Sequence, residues 1–240
     1  MISSTKPERT KRDRIRHRLP PLIHGDHLTR AEFERRYAAQ PQIKKAELVE
    51  GVVYMPSPVH LDKHSKPHSR IVLLLGNYVA ATPGADFGDN ATLRLDRDNE
   101  VQPDAFLRLH AAAGGQSWVG EDDFLEGAPE LIVEVAASSA AYDLHEKLHV
   151  YRRNGVQEYL VLLAYEQETR WYQLVEGAYQ PLPPDEDGVY RSGVFPGLHF
   201  HSDLFWADDL AGLLQILQAG MATAEHQAFV AALQARQGRE

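Results

Sequence analysis

The chain has 240 residues, 43% hydrophobic and 25% charged, the balance of a globular protein long enough to bury a substantial core. No run of about 18 apolar residues occurs, so no membrane-spanning helix is expected, and the basic N-terminus lacks the apolar stretch of a secretory signal. The absence of cysteine excludes disulfides, thiolate zinc sites and cysteine nucleophiles and suits a cytoplasmic protein, while a net charge of −9 argues against a large non-specific nucleic-acid surface.

Residues 1–18 carry seven Lys and Arg side chains against Glu8 and Asp13, a net +5, which leaves −14 for the remainder. Residues 1–20 read as a basic, disordered tail, either simply solvated or a phosphate-binding arm. Residues 21–240 read as a single domain.

Thr29-Arg-Ala-Glu32 is a capping box that opens a short helix ending before Pro41. Ala46–Met55, β-branched around Gly51, predicts a bent strand or hairpin. In His68–Ala81, Ile71, Leu74, Leu75, Tyr78 and Val79 fall on one helical stripe, closed by Pro83-Gly84. Two strands follow, 91–95 and 101–109, joined by the turn-forming Asp96–Asn99. A loop containing Gly114-Gly115 leads to an apolar strand over 130–136. Tyr142–Arg153 predicts a second helix with Gly155 as its C-terminal cap. Strands over 158–163 and 170–175 and helices near 210–218 and 222–235 complete an α/β (α+β) pattern: a mixed sheet flanked by helices.

Asp104 lies within an apolar strand, and Glu134 sits in the middle of Leu131-Ile-Val-Glu-Val. Burying an ionised carboxylate is costly unless donors or a cation meet it. Two carboxylates about 4 Å apart repel by roughly 4 kcal/mol at an effective dielectric of 20, and a divalent cation reverses that sign. Oxygen ligands favour Mg²⁺ or Mn²⁺ over zinc. Lys147 stands at the edge of its helix's apolar face, so its ammonium can reach the end of the Glu134 strand; as an i,i+4 partner of Asp143 it can equally be half of a surface ion pair. A structural alternative pairs the two acids with Arg94 or Arg108. His60, His64 and His68 recur every four residues, but Pro67 falls among them and no HExxH motif is present, which disfavours zinc. Ser138-Ser139 reads as the cap of the following helix.

Pro103-Asp104, Glu134-Val-Ala136, Asp143…Lys147…Tyr151 and Gly155-Val-Gln-Glu-Tyr159, in that order, resemble the Uma-two (Uma2) family of restriction-endonuclease-like proteins within the PD-(D/E)XK nuclease superfamily. Glu47-Leu-Val-Glu-Gly51, Pro56-Ser-Pro58 and His68 extend the match over residues 25 to 205. The resemblance implies a restriction-endonuclease-like fold and metal-dependent cleavage of nucleic acid, DNA above all. Asp104, Glu134 and the Val135 carbonyl would hold Mg²⁺ or Mn²⁺, Glu47 would complete the shell, and Lys147 would replace the superfamily lysine, whose place Ala136 occupies. The alternative is an inactive nucleic-acid- or protein-binding module on the same fold. The pattern leaves open whether the chain forms a homodimer.

Overall fold

The computed structural model describes residues 19–56 and 60–238. The basic segment 1–18, and Ser57 and Pro58 of the Pro-Ser-Pro motif, lie outside the described residues. Thr29 caps helix α1 (Arg30–Ala38), its side chain accepting from the Glu32 N–H. The Glu32 carboxylate instead takes the side chains of Arg35 and Arg36, so half of the capping box forms. Strands β1 (Glu47–Val49) and β2 (Val52–Tyr54) are the expected hairpin. Glu50 and Gly51 at its tip both have positive φ, the twist that a two-residue hairpin turn demands.

Leu61–Ser65 forms a wide π-type turn that runs without a break into α2 (Lys66–Ala80). The helix continues through Pro67, just past the point where the wide turn gives way to α2, so His64 and His68 stay on one helical run while His60 lies outside it in extended conformation. Ile71, Leu74, Leu75 and Tyr78 turn inward, as their spacing requires.

A larger difference concerns residues 101–109. They do not form one strand. Strand β5 (Glu100–Val101) belongs to a small sheet ordered β2-β1-β5-β4-β8-β7, with β4 Leu93–Arg94, β7 Trp118–Val119 and β8 Leu125–Glu126. Strand β6 (Ala105–Leu109) belongs to the main sheet, ordered β12-β11-β10-β9-β6-β3, in which β3 (Ala85–Asp89) was not evident from the sequence pattern. Gln102-Pro103-Asp104 crosses between the sheets. Proline has no N–H to give to a ladder, and the chain leaves one sheet for the other there.

The main sheet is centred on β9 (Leu131–Ala136) and β10 (Glu158–Leu163), which run parallel; β11 (Glu168–Val175), β12 (Ala178–Pro181), β6 and β3 are antiparallel additions. Between β9 and β10 the chain passes through α3 (Ala140–Tyr142), a second π-type turn (Asp143–Lys147) and α4 (Leu148–Arg153), with Gly155 at φ +82° just beyond. Ser139 holds the cap position, but its side chain makes no capping bond.

Both faces of β9 are covered, which explains its unbroken apolar run. Leu131, Val133 and Val135 enter a core shared with α2 and with the C-terminal helices α5 (Ser202–Trp206), α6 (Leu210–Met221) and α7 (Ala224–Gln237). Ile132 and Ala136 enter a second core beneath α4, with Val150, Tyr151, Tyr159 and Val161. A two-stranded ribbon, β13 (Val189–Arg191) and β14 (His199–His201), precedes α5. Among the described residues, no helix is long and apolar enough to cross a membrane.

Candidate active site

Strands β6 and β9 pair from Leu107–Leu131 to Ala105–Val133 and then part. The next residues on each are Asp104 and Glu134, so the ladder ends where the two carboxylates begin. Asp104 fills the gap it leaves: its Oδ2 accepts the Val135 N–H at 2.8 Å, and its own N–H faces Glu134 Oε2 at 3.4 Å. Both acids are buried, at 4% and 3% exposure. They line the floor of a cleft of about 740 Å³, together with Glu47, Val135, Asp143 and Lys147.

Lys147 is the cation of this floor. Its Nζ donates to Glu134 Oε1 at 2.8 Å, lies 2.9 Å from Glu47 Oε1 and 3.8 Å from Asp143 Oδ1, and is 3% exposed. The expected Asp143–Lys147 pair therefore exists, but buried, inside a larger cluster. The Tyr151 hydroxyl also donates to Glu134 Oε1 at 2.8 Å. Glu47 Oε1 accepts the Gln102 N–H at 2.7 Å, so its contacts are with Lys147 and the crossover segment. Tyr142, stacked on Tyr54 with centroids 4.2 Å apart, covers the ammonium at 5.3 Å.

Glu134 and Ala136 alternate with Val135 and so project to the same side of β9, where α4 and the turn before it pack. Lys147 brings its ammonium to that face from the covering turn rather than from the strand.

Electrostatically the floor is crowded: Glu47, Glu134 and Asp143 surround one buried ammonium, and Asp104 faces His64 and Lys45 instead. Burial pushes the Glu134 carboxyl up; Lys147 opposes this, while Asp143, Asp104 and Glu47 reinforce it. Burial also raises Asp143, to about 6. Lys147 is held well above the ordinary lysine range, because Glu134, Glu47 and Asp143 outweigh its own desolvation. Burial would raise Asp104 as well, but His64, Lys45 and the Val135 N–H bring it below its usual value.

Other buried carboxylates show what a balanced site looks like. Glu158 is met by Ser192, Trp171 and the N–H groups of Gly193 and Val194, and Glu130 by those of Leu109 and Gln116. The arginine alternative for Asp104 and Glu134 fails: Arg94 pairs with Glu34, Glu100, Asp122 and Glu126, and Arg108 with Asp86.

Among the described residues, no three His, Asp or Glu side chains converge as a ready cage for a metal ion. Two hard carboxylates lining one cleft nevertheless fit Mg²⁺, which keeps several waters and asks for one or two carboxylates rather than an all-protein cage.

Sequence reasoning left three cleft residues unassigned. His64 Nε2 lies 3.2 Å from Asp104 Oδ1, and Lys45 Nζ lies 4.0 Å from the same oxygen. Tyr142 was placed only as a helix start. The signal for His64 was the four-residue histidine repeat, discounted because of Pro67.

The family model described as "Uma2: Putative restriction endonuclease" matches residues 30–204. Among solved structures, a putative nuclease belonging to DUF820 from Anabaena variabilis superposes with a TM-score of 0.54 at 16% identity, covering 72% of this chain and 96% of that one. No curated protein matches the chain.

Proposed function

The chain belongs to the Uma2 family, and from that premise we propose that it is a metal-dependent endonuclease that hydrolyses phosphodiester bonds, with DNA as the substrate. The observation that carries the reading is the meeting of Asp104, Glu134 and Lys147, far apart in sequence, on the floor of one cleft. Asp104, Glu134 and the Val135 carbonyl would hold Mg²⁺ or Mn²⁺, with Glu47 adjoining through Lys147. Such an ion, when bound, polarises a phosphoryl oxygen and lowers the pKa of its water.

The chain's own groups have separable parts in the reaction. Lys147, held cationic by three carboxylates, acts as a donor and not as a base. It orients the attacking water or donates to the phosphoryl oxygens where charge accumulates. The Asp104 carboxylate is directed by the Val135 N–H. Lys45, 28% exposed at its side chain, is a cation that an incoming phosphate meets on its way to the floor.

Cleavage of supercoiled plasmid tests the proposal. Wild-type protein should nick or linearise it with Mg²⁺ or Mn²⁺ and lose that ability in EDTA. Asp104→Ala and Glu134→Ala should be inactive while keeping the wild-type circular dichroism spectrum. Equal cleavage by all three proteins would assign the activity to a contaminant and leave a binding module on the same fold.

A further inference from the structure

Asp104 is gripped from a side that the catalytic reading does not use. His64 and His68 are one helical turn apart, with rings 5.7 Å from centroid to centroid, and both reach Asp104 at different points. His68 Nε2 lies 2.9 Å from the Asp104 carbonyl oxygen and 2.8 Å from Asp89 Oδ1. His64 Nε2 lies 3.2 Å from Asp104 Oδ1, the carboxylate oxygen not taken by the Val135 N–H. The two histidines continue the stripe of Ile71, Leu75 and Tyr78, so the helix that packs into the main core ends in two imidazoles on one aspartate. His64 is carried by the π-type turn Leu61–Ser65, and Lys147 by the other π-type turn at the cleft. Such wide turns make up well under 1% of residues in globular proteins and gather at functional sites.

We infer that His64 and His68 are positioning residues that clamp Asp104 at side chain and backbone, and that His64 sets the direction in which the Asp104 carboxylate faces a bound cation. The Asp104 carbonyl accepts the Asn90 N–H at 3.3 Å, just past the end of the β3–β6 pairing, and His68 adds a second, shorter contact at 2.9 Å. His64 then determines how Oδ1 is presented. Partners of this kind behind a metal-binding carboxylate are worth 10- to 100-fold in metal affinity. The inference rests on the metal site proposed above.

Mn²⁺ binding to the full chain, followed by electron paramagnetic resonance in a buffer above the ordinary imidazole range, tests it without any nuclease assay. Wild type should bind Mn²⁺ and Asp104→Ala should not. His64→Ala should bind about 10- to 100-fold more weakly. His64→Gln, whose amide nitrogen can occupy the place of Nε2, should recover most of the loss. Melting curves keep the result interpretable: a purely structural histidine would lower Tm in both variants without this rescue. If wild type binds no Mn²⁺, the metal site itself fails. If wild type and His64→Ala bind equally, the site stands and the clamp is wrong.

Discussion

Replacing Glu134 by glutamine removes one of the three carboxylates around Lys147 and keeps the shape of the side chain. In the metal-free protein, burial and the neighbouring acids raise Glu134 from 4.5 to about 8 against the pull of Lys147. The folded form then binds that proton more tightly than the unfolded chain. The contribution of Glu134 to stability is therefore fullest below about 4.5 and is lost as pH climbs through about 8. A cation that binds only the folded arrangement restores it by RT ln(1 + [M]/Kd), about 2.7 kcal/mol at 100 times Kd. For a chain of this length that corresponds to a rise in Tm of about 5–10 °C. Because the ligand must be ionised to bind, the rise should be larger at pH 8 than at pH 6. Glu134→Gln should abolish both the metal response and this acid's contribution to the pH slope. In EDTA at pH 8 it should melt at or above the wild-type temperature, since Gln Oε1 can still accept from Lys147 and Tyr151. The assay is a thermal melt monitored by circular dichroism over a Mg²⁺ series at the two pH values. A glutamine variant that responds to Mg²⁺ as wild type does would refute the reasoning.

Lys147→Ala should lower turnover about 10²- to 10³-fold, the usual cost of one transition-state donor, while Mn²⁺ binding by calorimetry is retained; lost binding with intact chemistry would reverse the assignment. The same variant strands buried carboxylates and should cost about 3–5 kcal/mol in urea unfolding. Ala136→Lys should not behave as a repaired motif: Ala136 is fully buried beneath α4, and overpacking there should cost about 1–3 kcal/mol with no gain in cleavage. Deleting residues 1–18 should weaken DNA binding and flatten the plot of log K against log salt by about 0.9 per lost phosphate contact, whereas an unchanged slope would make the basic segment a bystander.

The elements that announced themselves in the sequence are those fixed by local chemistry. The α2 stripe, the Glu50-Gly51 hairpin tip, the apolar β9 run and the Gly155 cap each follow from spacing or from a backbone conformation that one residue type tolerates. What escaped depends on contacts between distant segments. Residues 101–109 read as one strand because Val101, Ala105, Phe106, Leu107 and Leu109 dominate the pattern; Pro103 marks a break, but nothing local shows that Glu100–Val101 and Ala105–Leu109 pair with different sheets. Strand β3 was hidden because Asp86, Gly88 and Asp89 depress strand propensity, and only its pairing with β6 stabilises it.

The site was legible to a similar degree. A charged residue inside an apolar run marks Asp104 and Glu134 without any structure, although Asp104 lies in the crossover between β5 and β6 and not within a strand. Lys147 was visible as a cation at the edge of an apolar face, but its burial against three carboxylates was not, since a helical i,i+4 pair with Asp143 satisfies the sequence equally well. The nearness of His64 to Asp104 was not legible, since a four-residue histidine spacing shows a shared helix face but not the distant residue that meets it.

Crystals grown with Mn²⁺ and a short DNA oligonucleotide would test the central claim most directly, through the anomalous signal of the metal. The account predicts a peak within coordination distance of Asp104 and Glu134 carboxylate oxygens and of a phosphate oxygen, with Lys147 Nζ beside that phosphate and outside the metal shell. A cleft with DNA bound but no anomalous peak at Asp104 and Glu134, or a metal seated elsewhere, would contradict it.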